Sequence, residues 1–221
     1  MPSNFTPARF VRVLGAGIVS DAPVAGMDFA ERMGPWFSTL DAIRLQAVHQ
    51  SVRAGLAAAP GPAKAARPDQ ALALADDVQR VRAALANAIA QPVPAPADEP
   101  AWRPYHLRHQ ELQRQMDMMI VPLRDHVRQA VGRASARLRQ LAALDAALDD
   151  MLARRRQALL ATTPGLLERR FKLLRQQHAA PDWLPVFEQQ WREALTVETD
   201  LRLQPVAGLV DALRDATNLP P

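Results

Sequence analysis

The chain has no cysteine, which excludes disulfides, thiolate metal sites and cysteine nucleophiles. Lysine is scarce. Lys64 and Lys172 are the only two, so arginine carries nearly all the positive charge. Aromatic residues amount to 5%, with one tyrosine, leaving a core to be built mainly from Leu, Val, Ala and Met. Windows of ~18 uncharged apolar residues are missing, so no membrane-spanning helix is expected. The segment from Met1 to Phe10 lacks a basic stretch followed by an apolar run, the mark of a secretory signal. These absences set the expectation of a cytoplasmic protein.

What is present points to helix. The 221 residues suffice for one large domain or two small ones. A hydrophobic fraction of 48% and a charged fraction of 23% are ordinary for a globular chain. Alanine and leucine dominate, and both favour helix over strand. The net charge of +4 and pI of 10.5 are modest once arginine's very high pKa is considered. Arginine's planar donor fork suits phosphate. The joint excess of Ala, Arg and Pro is equally what a GC-rich coding sequence produces.

Along the chain, Thr6-Pro7 reads as a helix start, a capping hydroxyl before a proline in the first turn. Gly15, Gly17 and Pro23 end that segment. A second short helix is expected over Met27 to Met33, and a longer one after Ser38. Asp69 caps a helix to about Ala90, with Leu72, Leu74, Val78, Val81, Leu85 and Ile89 at helical spacing. The stretch 91–100 holds four prolines and should be extended and stiff.

From about Arg103 the longest element begins. Apolar or small residues recur from Met116 through Ile120, Leu123, Val127, Val131, Ala134 and Leu138 to Leu152, with a mean step of about 3.6 residues, the α-helical period. Pro122 should kink or break it. Unbroken, some fifty residues would extend about 75 Å, so a strut or a long antiparallel hairpin is expected. Thr163-Pro164 starts a helix to about Gln177, Pro181-Asp182 opens another, and Pro205 marks a kink or boundary. Period-two alternation is missing. The expected class is all-α: a helical bundle with one long kinked helix or helical hairpin and no sheet. Its organisation would be a short-helix unit at 1–58, a linker at 59–68, a helix at 69–90, a Pro-rich linker at 91–102 and a long-helix bundle at 103–221.

Few motifs suggest chemistry. Val13-Leu14-Gly15-Ala16-Gly17-Ile18-Val19 looks like a dinucleotide-binding turn. Ser20 stands where the third glycine belongs, and Asp21 and Pro23 break the helix that must follow. A C-cap and turn is the better reading. His106 and His109 lie three apart and could share a metal, yet no third ligand has suggestive spacing. His49, His126 and His178 are isolated. The adjacent carboxylates of Asp76-Asp77 and Asp149-Asp150 point about 100° apart on a helix and do not converge. No phosphate-binding GxxxxGK loop and no GxSxG elbow occurs. No catalytic residue, metal site or cofactor is therefore expected.

The arginines are unevenly spread. Residues 101–175 hold fifteen Arg or Lys against seven Asp or Glu. Candidates for nucleic-acid contact are Arg114, Arg124, Arg128, Arg133, Arg137, Arg154, Arg155, Arg156, Arg169, Arg170, Lys172 and Arg175. Arg124 with Arg128, and Arg133 with Arg137, share helix faces. Such a surface would grip phosphate with little sequence preference. A solvated helix or a dock for an acidic partner would look the same. Trp183, Phe187 and Trp191 lie on one helix face, as core or as a partner-binding hot spot.

Three stretches carry a family resemblance: Phe29-Ala30-Glu31-Arg32-Met33-Gly34-Pro35-Trp36 running on to Asp41-Ala42-Ile43; Tyr105 through Leu112-Gln113-Arg114-Gln115-Met116 to Pro122-Leu123-Arg124; and Asp200-Leu201-Arg202-Leu203-Gln204-Pro205-Val206-Ala207-Gly208-Leu209. In this order they resemble the ZorF family, an accessory component of type III Zorya anti-phage defence systems, over about residues 6–215. The resemblance implies a cytoplasmic partner of a proton-driven membrane motor, acting with a ZorG-like protein against invading DNA. It offers no active-site residues to transfer. The expected function is a non-catalytic effector or adaptor that binds a ZorG-like partner and double- or single-stranded DNA, linked only indirectly to the membrane motor. The rivals are a self-associating structural protein, forming a homo-oligomer through its long helix, and a nuclease with an unfamiliar site.

Overall fold

The structure, a computed structural model, describes residues 68–94, 100–177 and 183–218, with isolated helical positions at Ile43, Gln46, Ala47 and Gln50. The glycine-rich turn at 13–19, the helix starts at Thr6 and Ser38, the helix at 27–33, the linker at 59–67, the Pro181-Asp182 start, His49 and His178 lie outside the described residues. So does most of the first resemblance stretch. Among the described residues five helices have full bounds: α1 Pro68–Ala90, α2 Trp102–Ala134, α3 Ala136–Leu160, α4 Thr163–Gln177 and α5 Trp183–Asn218. Among the described residues there is no strand, and the fold is all-α.

Each helix follows from local chemistry. Helix α1 opens with Pro68, and Asp69 lies in its first turn, where negative charge suits the helix dipole. Its buried residues Ala71, Leu74, Val78, Leu85 and Ile89 keep three- and four-residue spacing along one stripe. Helix α4 starts at Thr163 and ends at Gln177 with Arg175 in its last turn, the favourable end for a cation.

Two prolines expected to kink or interrupt their helices do not interrupt them. Pro122 and Pro205 lie inside α2 and α5. The Pro122 position is exposed, so water can take the carbonyl that the missing N–H leaves free. The long element breaks instead at Ser135. There the Leu138 N–H donates to Ser135 Oγ at 3.1 Å and the Arg139 N–H to the Ser135 carbonyl at 2.9 Å. That is an N-cap, and Gly132, a weak helix former, stands just before it.

The chain forms two compact units, each assembled from three chain segments. Among the described residues, the first comprises 81–119 and 159–202, and the second 68–80, 120–158 and 203–218. Helices α1, α2 and α5 contribute to both.

In the first unit α2 and α5 run parallel. Tyr105 meets Glu188, Gln113 meets Glu198 and Asp117 meets Arg202, with both partners ascending together. Helix α1 runs against them. Arg82 pairs with Asp200 at 3.1 Å, whereas one turn and a half further on, the Ala88 carbonyl accepts from Arg108 at 2.9 Å.

In the second unit α2 and α3 form an antiparallel hairpin about Ser135. Arg124 and Asp149 stand eleven and fourteen residues from the break, about 16 and 21 Å of helix, yet their charged groups meet at 2.7 Å. Only arms that return side by side allow this. The hairpin buries Leu123, Val127, Val131, Leu138 and Met151, and the same unit buries Val206, Leu209, Val210 and Leu213 of α5. Each such aliphatic side chain contributes roughly 1.5–3 kcal/mol.

Because a serine cap closes the turn, Ser135→Ala is expected to destabilise the protein by about 1 kcal/mol, read as a lower urea midpoint at unchanged m-value. Ser135→Asp, which keeps an acceptor, should restore most of it. A full-strength Ser135→Ala protein would show that the break does not depend on the cap.

Candidate functional site

The first unit concentrates aromatics. Phe171 of α4 packs edge-on against Trp183 at 4.9 Å and Phe187 at 5.0 Å, and Tyr105 of α2 meets Phe187 at 5.2 Å and Trp191 at 5.7 Å. Such edge-to-face pairs add about 0.5–1.5 kcal/mol each beyond area burial. Trp183, Phe187 and Trp191 are four residues apart, and their exposures are 4%, 0% and 0%. Their role as an exposed partner-binding surface is therefore corrected: the shared face points into the core, where Trp102 and Tyr105 of α2 and Phe171 of α4 cover it.

Beside this cluster lies a buried polar centre. The Glu198 carboxylate is fully buried and accepts from Arg202 Nε at 3.0 Å, Arg202 NH2 at 2.7 Å and Gln113 Nε2 at 3.1 Å. Arg202 also holds Asp117. Burial pushes the Glu198 carboxyl up, against the pull of Arg202 and Gln113. Tyr105 donates to Glu188 Oε1 at 2.7 Å, and burial, then this carboxylate, raises its hydroxyl above the usual tyrosine range. His109 is fully buried 3.9 Å from Glu198, too far for a hydrogen bond, and neither ring nitrogen has a partner. Burial first, then His106 and Arg202, lowers it to about 4. His109 is thus neutral near pH 7. His106 beside it is half-buried, and no cluster of three metal-ligating residues occurs among the described residues.

In the second unit the dominant feature is ionic. Arg124 forks onto Asp145 through Nε at 3.0 Å and NH2 at 2.6 Å, and its NH1 reaches Asp149 at 2.7 Å. Arg128 meets Asp145 at 2.6 Å, Asp149 at 2.9 Å and Asp125 at 3.0 Å. Arg156 adds a contact to Asp149 at 2.6 Å. These are the bidentate, charge-assisted bonds that hold two helices in register. Burial opposes ionisation of Asp149, but Arg156, Arg128 and Arg124 outweigh it and hold its carboxyl below the ordinary range.

The phosphate-binding candidates therefore separate. Arg124 and Arg128 are only 11% and 15% exposed and serve as internal counter-ions, so they leave the cationic face expected of them. Arg156 is tied to Asp149, Arg114 to Glu111 and Lys172 to Glu168, while Arg170 is half-buried and donates to Gln190. Arg155 and Arg175 are exposed. Arg133, Arg137, Arg154 and Arg169 are exposed, and no ion pair among the described residues engages them.

Sequence reading assigned no role to Glu198 or Asp145, and Asp149 drew notice only beside Asp150. A signal for Asp145 and Asp149 existed. Asp145 and Asp149 are four apart, as are Arg124 and Arg128, and the two pairs flank Ser135 on either side. Nothing in sequence distinguished Glu198 from a solvated carboxylate.

The fold and these centres define an all-helical protein whose buried charges are used to join helices. The chain belongs to the family described as protein of unknown function DUF3348, whose model matches residues 2–215. No curated protein and no solved structure matches it. Among the described residues no helix is long and apolar enough to cross a membrane.

Two outcomes test these assignments. An unfolded histidine takes up a proton near pH 6.5 but native His109 does so only near 4, so stability falls as pH drops through that window. The loss is at most roughly 3 kcal/mol. His109→Gln should remove this slope, and stability curves of wild type and variant that stay parallel from pH 7 to 4 would sink the assignment. Glu198, shifted up, slopes the opposite way in both proteins. Separately, Arg128→Met leaves Asp145 and Asp149 short of a partner and should cost about 3 kcal/mol in urea unfolding. Unchanged stability with weakened nucleic-acid affinity would return Arg128 to the phosphate face.

Proposed function

We propose that this chain is a cytoplasmic, non-catalytic adaptor of a type III Zorya anti-phage defence system, binding a ZorG-like partner protein and invading DNA. The supporting observation is the ordered resemblance of residues 29–43, 105–124 and 200–209 to the ZorF family, together with where two of those stretches meet. Asp117 lies within the second and Arg202 within the third, and the two are ion-paired; Gln113 and Arg202 share Glu198. The residues that carry the resemblance thus build a buried helix seam, which suits a protein that works by presenting surfaces. Its DNA contact would fall to exposed arginines without a counter-ion, weakly selective and salt-sensitive.

The test is to express the chain with its neighbouring genes, purify it through a tag and identify what co-elutes before and after nuclease treatment. A protein partner that survives nuclease, and nucleic acid that salt removes, are expected. Elution alone under all conditions would overturn the adaptor reading.

A further inference from the structure

We infer that the tip of the α2–α3 hairpin, presenting Arg133, Arg137 and Arg139 around Ser135, is the element that grips the phosphate backbone of duplex DNA; this rests on the DNA-binding part of the reading above. Between Asp125 and Asp145 the chain has no acidic residue and four arginines. One of the four, Arg128, is consumed at the base by Asp125, Asp145 and Asp149. The other three are all exposed at the turn. Arg139 donates through Nε to the Gly132 carbonyl at 3.2 Å, which folds its guanidinium back over the turn and leaves its terminal nitrogens for an outside acceptor. Arg133 and Arg137 have no counter-ion among the described residues.

Three features favour a polyphosphate over an acidic protein. First, the tip offers charge without an apolar anchor. Leu138 is buried, and the remaining turn residues are Gly132, Ala134, Ser135 and Ala136, whereas protein hot spots need large buried side chains. Second, the half-buried turn residues Ser135 and Ala136 are small and let a backbone approach closely. Third, the Arg124–Arg128–Asp145–Asp149 latch fixes both arms, so little ordering entropy is lost when the tip binds. Arg154 stands toward the other end of α3 and Arg169 on α4, and neither is part of the tip.

The measurement is binding of the full chain to mixed-sequence duplex DNA across a salt series, for wild type, R133Q/R137Q/R139Q, R133Q/R137Q, and the charge-matched R114Q/R154Q/R169Q, each checked for unchanged melting. The double variant spares the Arg139–Gly132 bond, so it reads DNA contact even where the triple variant disturbs the turn. The tip triple should bind roughly tenfold or more weakly at about 0.1 M salt, with log K against log salt shallower by about 2 to 3; the double should lose about two-thirds of that slope. The control should stay near wild type. DNA binding that survives loss of the tip arginines, or falls equally in the control, overturns the tip assignment and leaves DNA binding standing. Failure of wild type to bind duplex DNA overturns both. Tip variants that bind DNA normally but lose a co-eluting protein, or lose adsorption to phosphatidylserine vesicles, would make the tip a site for acidic protein or lipid instead.

Discussion

Glu198 is wholly buried, and a wholly buried carboxylate is tolerable only where donors meet it. Arg202 reaches it from the same helix and Gln113 from α2, while Arg202 continues to Asp117. Everything in the first unit depends on this alignment. Sliding α5 along α2 by one turn, about 5.4 Å, would separate Tyr105 from Glu188, Gln113 from Glu198 and Asp117 from Arg202 at once. The aromatic cluster alone would not fix that register as firmly, since dispersion between rings changes gradually with displacement. Apolar burial supplies most of the stability, and the polar contacts choose which of several packings is adopted.

The second unit solves the same problem with charge pairs of opposite sign on facing helices. Its described core is aliphatic, from Leu74 and Val78 through Val127 and Leu138 to Leu213, without the interlocking rings of the first unit. Aliphatic stripes at a 3.6-residue period pack acceptably at more than one offset. Two arginines four apart facing two aspartates four apart do not. The latch thus does for the second unit what the contacts among Glu198, Arg202, Gln113 and Asp117 do for the first.

This division explains what could be read from the chain and what could not. The helices at 69–90 and 163–177 follow from capping residues and apolar spacing, both local properties, and the structure agrees to within a residue. The all-α class follows from composition and period. Breaks inside long helices are less legible. Pro122 and Pro205 carry the strongest local signal against helix, but exposure and tertiary packing absorb it, whereas the modest pair Gly132 and Ser135 turns the chain because the arms gain an ionic latch by folding back. Site residues were least legible of all. Whether Trp191 faces a partner or Tyr105, and whether Arg124 faces phosphate or Asp145, depends on contacts 21 to 86 residues away in sequence. Helical periodicity tells which residues share a face and not what that face meets.

Arginine content is therefore a poor guide to function in a chain of this kind until its partners are known. Fifteen basic residues between 101 and 175 suggested one broad cationic surface, and the fold divides them by job. Arg124 and Arg128, with aspartates on the other hairpin arm, are drawn inward, because a guanidinium fork pairing with a carboxylate across a seam is stronger than the same fork in water. The acid-free interval between Asp125 and Asp145 has no such partners, so its outer arginines stay at the surface. A helix-joining role needs each charge neutralised in place; a phosphate-gripping role needs charge left over. The positions of a few aspartates, rather than the number of arginines, decide where this protein can meet an anion.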